Sequence, residues 1–263
     1  KGPSIAAMYA VKALMDAGVE FKTRIRFIFG TDEENLWRCL EKYNEKEEGI
    51  TQGFAPDAEF PLIYAEKGLL QAYLTGPGTN DFSVKAGGAL NVVPDAAPYS
   101  GEKISEVKEA LKKHGFDFEE QGEGIVVLGK SIHAKDAAQG VNAISRLAIA
   151  LSEVFDFGPI NFLGKLVQEN ATGEAVVGKT EDEQSGELTM NFASLEITPE
   201  QTKIGVDMRI PVTFKKEDLV AKLTKTVEKY ELSYEEFDFL DSLYVPLDSE
   251  LVKNLLGTYR EIT

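Results

Sequence analysis

The amino-acid sequence predicts an α/β fold interrupted by an α+β domain, and three observations carry that prediction. Residues 3 to 65 alternate helix, strand, helix and strand at short spacing, the order that builds an α/β layer with parallel strands. After Lys67-Gly68 the strand runs mix with long helices, the pattern of an antiparallel sheet with helices on one face. Beyond Tyr244 a short linker leads to one further helix. The expected division is therefore 1–67, an inserted domain at 68–243, and a returning helix at 244–263. The outer portions share a parallel-containing sheet, and the insert carries an antiparallel one.

Each element has a local reason. Pro3 suits a first helical turn, Ala6, Ala7, Ala10, Ala13 and Ala17 favour close packing, and Gly18 is a natural stop for a helix over 3–17. Thr23 to Phe29 alternates Arg24 and Arg26 with Ile25, Phe27 and Phe29, which predicts a strand. Thr31 or Asp32 can cap a helix from Glu33 to Tyr43, and Leu62 to Ala65 reads as a second strand. In the insert, strands are predicted at 69–74, 124–128, 187–193, 203–210 and 231–238, and helices at 103–114, 139–155 and 215–229. Thr75-Gly76-Pro77-Gly78-Thr79-Asn80 is a breaker cluster after the first of these strands. Asp248 or Ser249 can cap a last helix carrying Leu251, Leu255, Leu256 and Tyr259. There is no internal repeat and no low-complexity tract.

Composition narrows the classes of function. Of 263 residues, 43% are apolar and 27% charged, an ordinary balance for a soluble globular protein. No apolar run approaches the ~18 residues that span a bilayer, so no membrane partner is expected. Acids outnumber bases 44 to 28, for a net charge of −16. That balance opposes nonspecific nucleic-acid binding, which needs Lys and Arg against phosphates. Cys39 is the only cysteine, which excludes an intrachain disulfide and points to a reducing, cytoplasmic setting. In the apparent helix Leu36-Trp37-Arg38-Cys39-Leu40 a buried structural thiol is expected, rather than a nucleophile. Gly76-Pro77-Gly78-Thr79-Asn80 and Gly87-Gly88 lack the spacing of a phosphate loop, and no Gly-x-Ser-x-Gly elbow accompanies Ser131.

The most informative segment is Phe29-Gly30-Thr31-Asp32-Glu33-Glu34, three acids directly after a predicted strand. In α/β sheets ligands collect at the carboxyl ends of strands, although acids at a helix start also simply complement its dipole. Asp57 lies in a second loop, before the next predicted strand. Two carboxylate-bearing loops at one sheet can bind cations or supply acid and base groups.

Here the sequence resembles a known family. Lys1-Gly2-Pro3, Gly30-Thr31-Asp32-Glu33-Glu34, Pro56-Asp57-Ala58-Glu59-Phe60-Pro61 and Ala65-Glu66-Lys67-Gly68 are similar to motifs of the dipeptidase V and carnosinase group. So are Asn91-Val92-Val93-Pro94, Gly129-Lys130-Ser131-Ile132-His133-Ala134, Gly140-Val141-Asn142-Ala143 and Asp207-Met208-Arg209-Ile210-Pro211, in the family's order along the whole chain. That group, with its Xaa-His dipeptidases, belongs to the di-zinc aminoacylases, deacylases and carboxypeptidases.

The resemblance implies roles. Glu33 is the expected general base, Glu34 and Asp57 are expected zinc ligands, and His133 is expected to stabilise an oxyanion. Asn91 is expected to donate to the substrate or oxyanion, and Arg209 to bind the substrate carboxylate. It implies residues 68–243 as a lid that closes over an unblocked dipeptide. It also implies truncation at both ends: a bridging aspartate falls before Lys1, and two histidine ligands match neither His114 nor His133. Two zinc ions are expected in the complete enzyme and weak or no binding in this chain. A homodimer is left open. The rival readings are a deacylase of N-acyl amino acids and a noncatalytic binding or oligomerisation protein retaining the fold.

Overall fold

The computed structural model describes residues 2–32 and 37–263. The helices α1 (Gly2–Asp16) and α2 (Arg38–Lys46) come first, followed by β1 (Ala65–Glu66), β2 (Gly68–Pro77), β3 (Val84–Gly87) and β4 (Ala96–Tyr99). Next are α3 (Ile104–Lys113), β5 (Phe118–Gln121), β6 (Gly124–Leu128), α4 (Ala143–Val154), α5 (Gly158–Asn161) and α6 (Glu174–Val177). The chain ends with β7 (Glu181–Asp182), β8 (Gly186–Glu187), β9 (Thr189–Ile197), β10 (Gln201–Ile210), α7 (Lys216–Val227), β11 (Ser233–Leu240), β12 (Leu243–Tyr244) and α8 (Glu250–Ile262). These residues divide into two compact units, 1–63 with 246–263, and 64–245.

In the first unit, α8 starts as its sequence dictates: the Ser249 hydroxyl accepts from the Val252 amide at 3.3 Å. The first residues of the helix expected from Glu33 lie outside the described residues, and Asp32 binds the start of the helix that is described. Its carboxylate accepts from the Arg38 amide at 3.1 Å and from the Arg38 side chain at 2.7 and 2.8 Å, so it serves a helix that begins at Arg38. The strand predicted over 23–29 is a correction. Among the described residues that segment has no strand partner. It is held instead by side chains, with Arg24 and Arg26 paired to Glu48 and Arg26 donating to the Tyr43 hydroxyl. Ile25, Phe27 and Phe29 all stay exposed, and Val252 is the one buried residue of this unit among those described. A strand is defined by a ladder to a neighbour, and alternation alone does not supply one.

The parallel sheet is corrected for the same reason. Every strand pairing among the described residues is antiparallel. Of the strand expected at Leu62–Ala65, only Ala65 is in a strand, as the first residue of β1 paired with β12.

The second unit is built on a five-stranded antiparallel sheet of order β11-β2-β10-β9-β3. One face is dictated by alternation: Leu70, Ala72 and Leu74 of β2 and Ile204, Val206, Met208 and Ile210 of β10 are all buried. Removing each large apolar side chain from water contributes about 1.5–3 kcal/mol. α4 buries Ile144, Leu147, Ala148 and Leu151 in the same core, and its first turn is capped by Asn142, which accepts from the Ser145 amide at 3.1 Å. A π-helical turn, Phe162–Val167, packs so closely on α4 that a Cβ at Gly164 would meet the Ala148 carbonyl at 2.3 Å. Phe162 stands edge-on to Phe192 in this core.

Between β9 and β10 the register shifts at Gly205/Val206, leaving Ala193 as a bulge. The bulge resets the parity of β9. Phe192 before it and Leu195 and Ile197 after it all face the core, while Asn191 and Ser194 come to share the opposite face. β4, β6 and β5 form a smaller antiparallel sheet.

The β7–β8 hairpin is latched to the turn that follows β10. The Asp182 carboxylate accepts from the Ser185 amide and hydroxyl at 2.6 and 2.8 Å, and from the Thr213 amide and hydroxyl at 3.0 Å each. Burial pushes this carboxyl up, but the hydrogen bonds from Ser185 and Thr213 outweigh it and hold the group below its ordinary value. A depressed folded value gives stability that is full above the unfolded value of about 3.9 and is lost as pH falls through the folded one. In urea denaturation, Asp182→Asn is therefore expected to be less stable than the parent at about pH 7, with the gap closing near pH 2. A gap independent of pH would overturn this reading.

Candidate functional site

Of the six predicted site residues, Glu33 and Glu34 lie outside the described residues. Asp57 lies in an exposed loop of the first unit. Asn91, His133 and Arg209 belong to the second unit.

Asn91 and His133 are brought together by their backbones. Val92 and His133 form an antiparallel bridge, Val93 donates to the Ile132 carbonyl at 2.9 Å, and Ala134 donates to the Asn91 carbonyl at 2.9 Å. Both side chains are exposed. The Gly/Ser/Ala-rich sequence around His133 folds as a turn into the 3₁₀ helix Ala134–Gln139, and His133 is its N-cap, with Nδ1 accepting from the Lys135 amide at 3.1 Å. With Nδ1 used as an acceptor, the neutral imidazole carries its proton on Nε2. The ring therefore presents an N–H donor on the side away from its own backbone.

Arg209 lies near the end of β10, and its guanidinium is oriented by its own strand. Nε donates to Asp207 Oδ1 at 2.8 Å and Nη2 to Oδ2 at 3.2 Å, while Gln71 of β2 donates to Oδ2 at 2.9 Å. The Asp207 side chain is fully buried and that of Arg209 retains 19% exposure. One terminal nitrogen of the fork has no protein partner among the described residues. A guanidinium held this way has its plane fixed and one edge left for an anionic group.

Cross-strand register joins these groups. Asp207 stands between Gln71 and Asn191, and Arg209 between Leu69 and Thr189. Asn191 then donates to the Leu90 and Val92 carbonyls on either side of Asn91, so one polar row leads from Arg209 to the Asn91 turn. Nearby, Lys67 donates to the Glu187 carbonyl, and burial holds its ammonium below the ordinary lysine value against the pull of Asp182, Glu187 and Asp136. Sequence reasoning gave no role to Gln71 or Asn191, nor to Asp207, although Asp207 stands in one of the quoted motifs. The available signal was an asparagine inside an apolar strand run, a position where that residue is depleted.

For a metal, the carboxylate of Asp57 is the kind of oxygen donor zinc accepts. Among the described residues, however, no three His, Cys, Asp or Glu side chains gather into a metal-holding group, so these residues alone do not compose a zinc site. Nor is any helix among them long and apolar enough to cross a membrane.

The model of peptidase family M20/M25/M40 matches residues 1–250, and the chain belongs to this family. Among curated relatives, "Putative dipeptidase YtjP" of Bacillus subtilis is 35% identical over 288 residues, covering 98% of this chain and 60% of the relative. A "Putative dipeptidase" of Staphylococcus haemolyticus is 32% identical over 290 residues, covering 100% of this chain and 61% of the relative. One of Staphylococcus epidermidis gives the same identity and coverage. The chain thus spans about three fifths of the length of these relatives.

Proposed function

We propose that the whole protein is a metal-dependent dipeptidase that hydrolyses the peptide bond of unblocked dipeptides. The observation that carries this reading is the backbone pairing of the Asn91 turn with the His133 turn, which joins two motif segments bearing a carboxamide and an imidazole in a chain of a peptidase family. In the proposal residues 68–243 are the lid. Within it, His133 Nε2–H donates to the oxygen that becomes negative as the carbonyl is attacked, Asn91 donates to the substrate, and the free edge of Arg209 takes the substrate's terminal carboxylate. Family membership supports zinc as the metal, with Glu34 and Asp57 as the residues of this chain that would hold it and Glu33 as the base. Zinc, when bound, supplies a water acidic enough to lose its proton near neutral pH. A terminal-carboxylate clamp favours short substrates with a free C-terminus, because a longer peptide places an amide where the guanidinium awaits an anion.

The test is a substrate panel on the full-length protein with added zinc. Hydrolysis of unblocked dipeptides, with N-acetylated amino acids left intact, is the expected result. Cleavage of the acylated amino acids alone would replace this reading with the deacylase one. Inactivity on both would favour a binding protein. Within the panel, Xaa-His dipeptides decide whether the carnosinase-like preference holds.

A further inference from the structure

Asn91 sits in an exposed turn, and a substrate contact carried on such a segment depends on a rigid scaffold to position it. A donor must be held to within about 0.5 Å of its productive position. The structure shows what holds this turn. Asn191 lies inside β9 between the core residues Met190 and Phe192 and is 2% exposed. Its amide nitrogen spends both protons on the turn, donating to the Leu90 carbonyl at 3.2 Å and the Val92 carbonyl at 2.9 Å. These carbonyls flank Asn91 on either side. Its amide oxygen accepts from Asn142 at 3.2 Å, the residue that caps α4 and also donates to the Phe192 carbonyl at 2.8 Å. On the same face of the sheet Leu90 lies over Gly205, where a Cβ would come within 2.4 Å of Ser194 Oγ and 2.5 Å of the leucine methyl.

We propose that Asn191 is a positioning residue that fixes the direction of the Asn91 side chain by gripping the carbonyls on both sides of it, with Leu90 on Gly205 as the second anchor. Water could satisfy carbonyls in an exposed turn at little cost, whereas burying an amide in a strand is unfavourable unless all its hydrogen bonds are made. Asn191 makes them, and to peptide groups that straddle one predicted substrate contact. The kinetic part of this inference rests on the reading of Asn91 as a substrate donor; the structural part does not.

The experiment has two arms on the full-length, zinc-loaded protein. In hydrogen exchange, Asn191→Ala is expected to speed exchange at the Ala134 amide, which donates to the Asn91 carbonyl, by about tenfold or more, with the β4–β6–β5 amides unchanged. In dipeptide hydrolysis, Asn191→Ala is expected to lower kcat/KM by about 100-fold, mostly in kcat, and to cost nothing further in an Asn91→Ala background. Should Asn191→Ala fail to fold, Asn191→Leu keeps roughly the side-chain volume while removing both donated protons, and must show the same exchange and non-additivity. Unchanged exchange at Ala134, or losses that add fully with Asn91→Ala, would overturn the positioning role. If Asn91→Ala itself has no kinetic effect, the substrate reading of Asn91 is wrong, and the exchange arm alone decides whether Asn191 holds the turn.

Discussion

Replacing His133 with alanine in the full-length, zinc-loaded protein is expected to lower kcat by about 10²- to 10³-fold, with KM changed no more than a few-fold. The size follows from what one preorganised donor contributes when charge develops on an oxygen in a site shielded from water. The split follows from timing, because a bond that strengthens only in the transition state appears in kcat and not in ground-state binding. The ring is suited to that role by the Lys135 amide, which occupies Nδ1 and leaves Nε2 as the donor. His133→Gln keeps a donor N–H on a chain of similar reach and is expected to recover part of the loss. Thermal unfolding separates chemistry from structure. The imidazole is exposed, so His133→Ala forfeits little beyond the one cap bond, about 1 kcal/mol. An unchanged kcat would remove His133 from the mechanism, and a collapse in thermal stability alongside kcat would assign it to the fold.

Local pattern was legible where the core enforced it. The strand predicted at 203–210 is β10 at Gln201–Ile210, and the helix predicted at 215–229 is α7 at Lys216–Val227, because alternation and helical spacing there are imposed by one buried face. The same alternation misled at 23–29, where Ile25, Phe27 and Phe29 meet no ladder among the described residues. Sequence could also not reveal the bulge at Ala193. That single extra residue turns Asn191 and Ser194 onto one face, and no periodicity count anticipates it. Candidate site residues on turns with distinctive neighbours, such as Asn91 and His133, were visible from their motifs. The roles of Gln71 against Asp207 and of Asn191 against the Asn91 turn were not, because these partners lie on other strands or turns and register is a property of the fold.

Arg209→Ala is expected to destabilise the protein by about 3–5 kcal/mol in urea denaturation, a cost larger than its exposed edge suggests. The loss arises less from the arginine than from what it leaves behind. Asp207 is fully buried, takes two of its hydrogen bonds from the guanidinium, and among the described residues would retain only Gln71. A carboxylate stranded in the interior is what makes breaking such a pair expensive, whereas replacing both charges by neutral groups of similar size is often close to neutral. The double variant Asp207→Asn with Arg209→Met should therefore regain most of the lost stability. It should not regain substrate binding, since neither new side chain can grip a carboxylate in two places. The expected pattern is a single variant that is both unstable and poor in KM, and a double variant that is stable yet keeps a KM raised about tenfold or more. A stable double variant with a normal KM would show that Arg209 serves Asp207 alone and leave the carboxylate end of the substrate without its proposed partner.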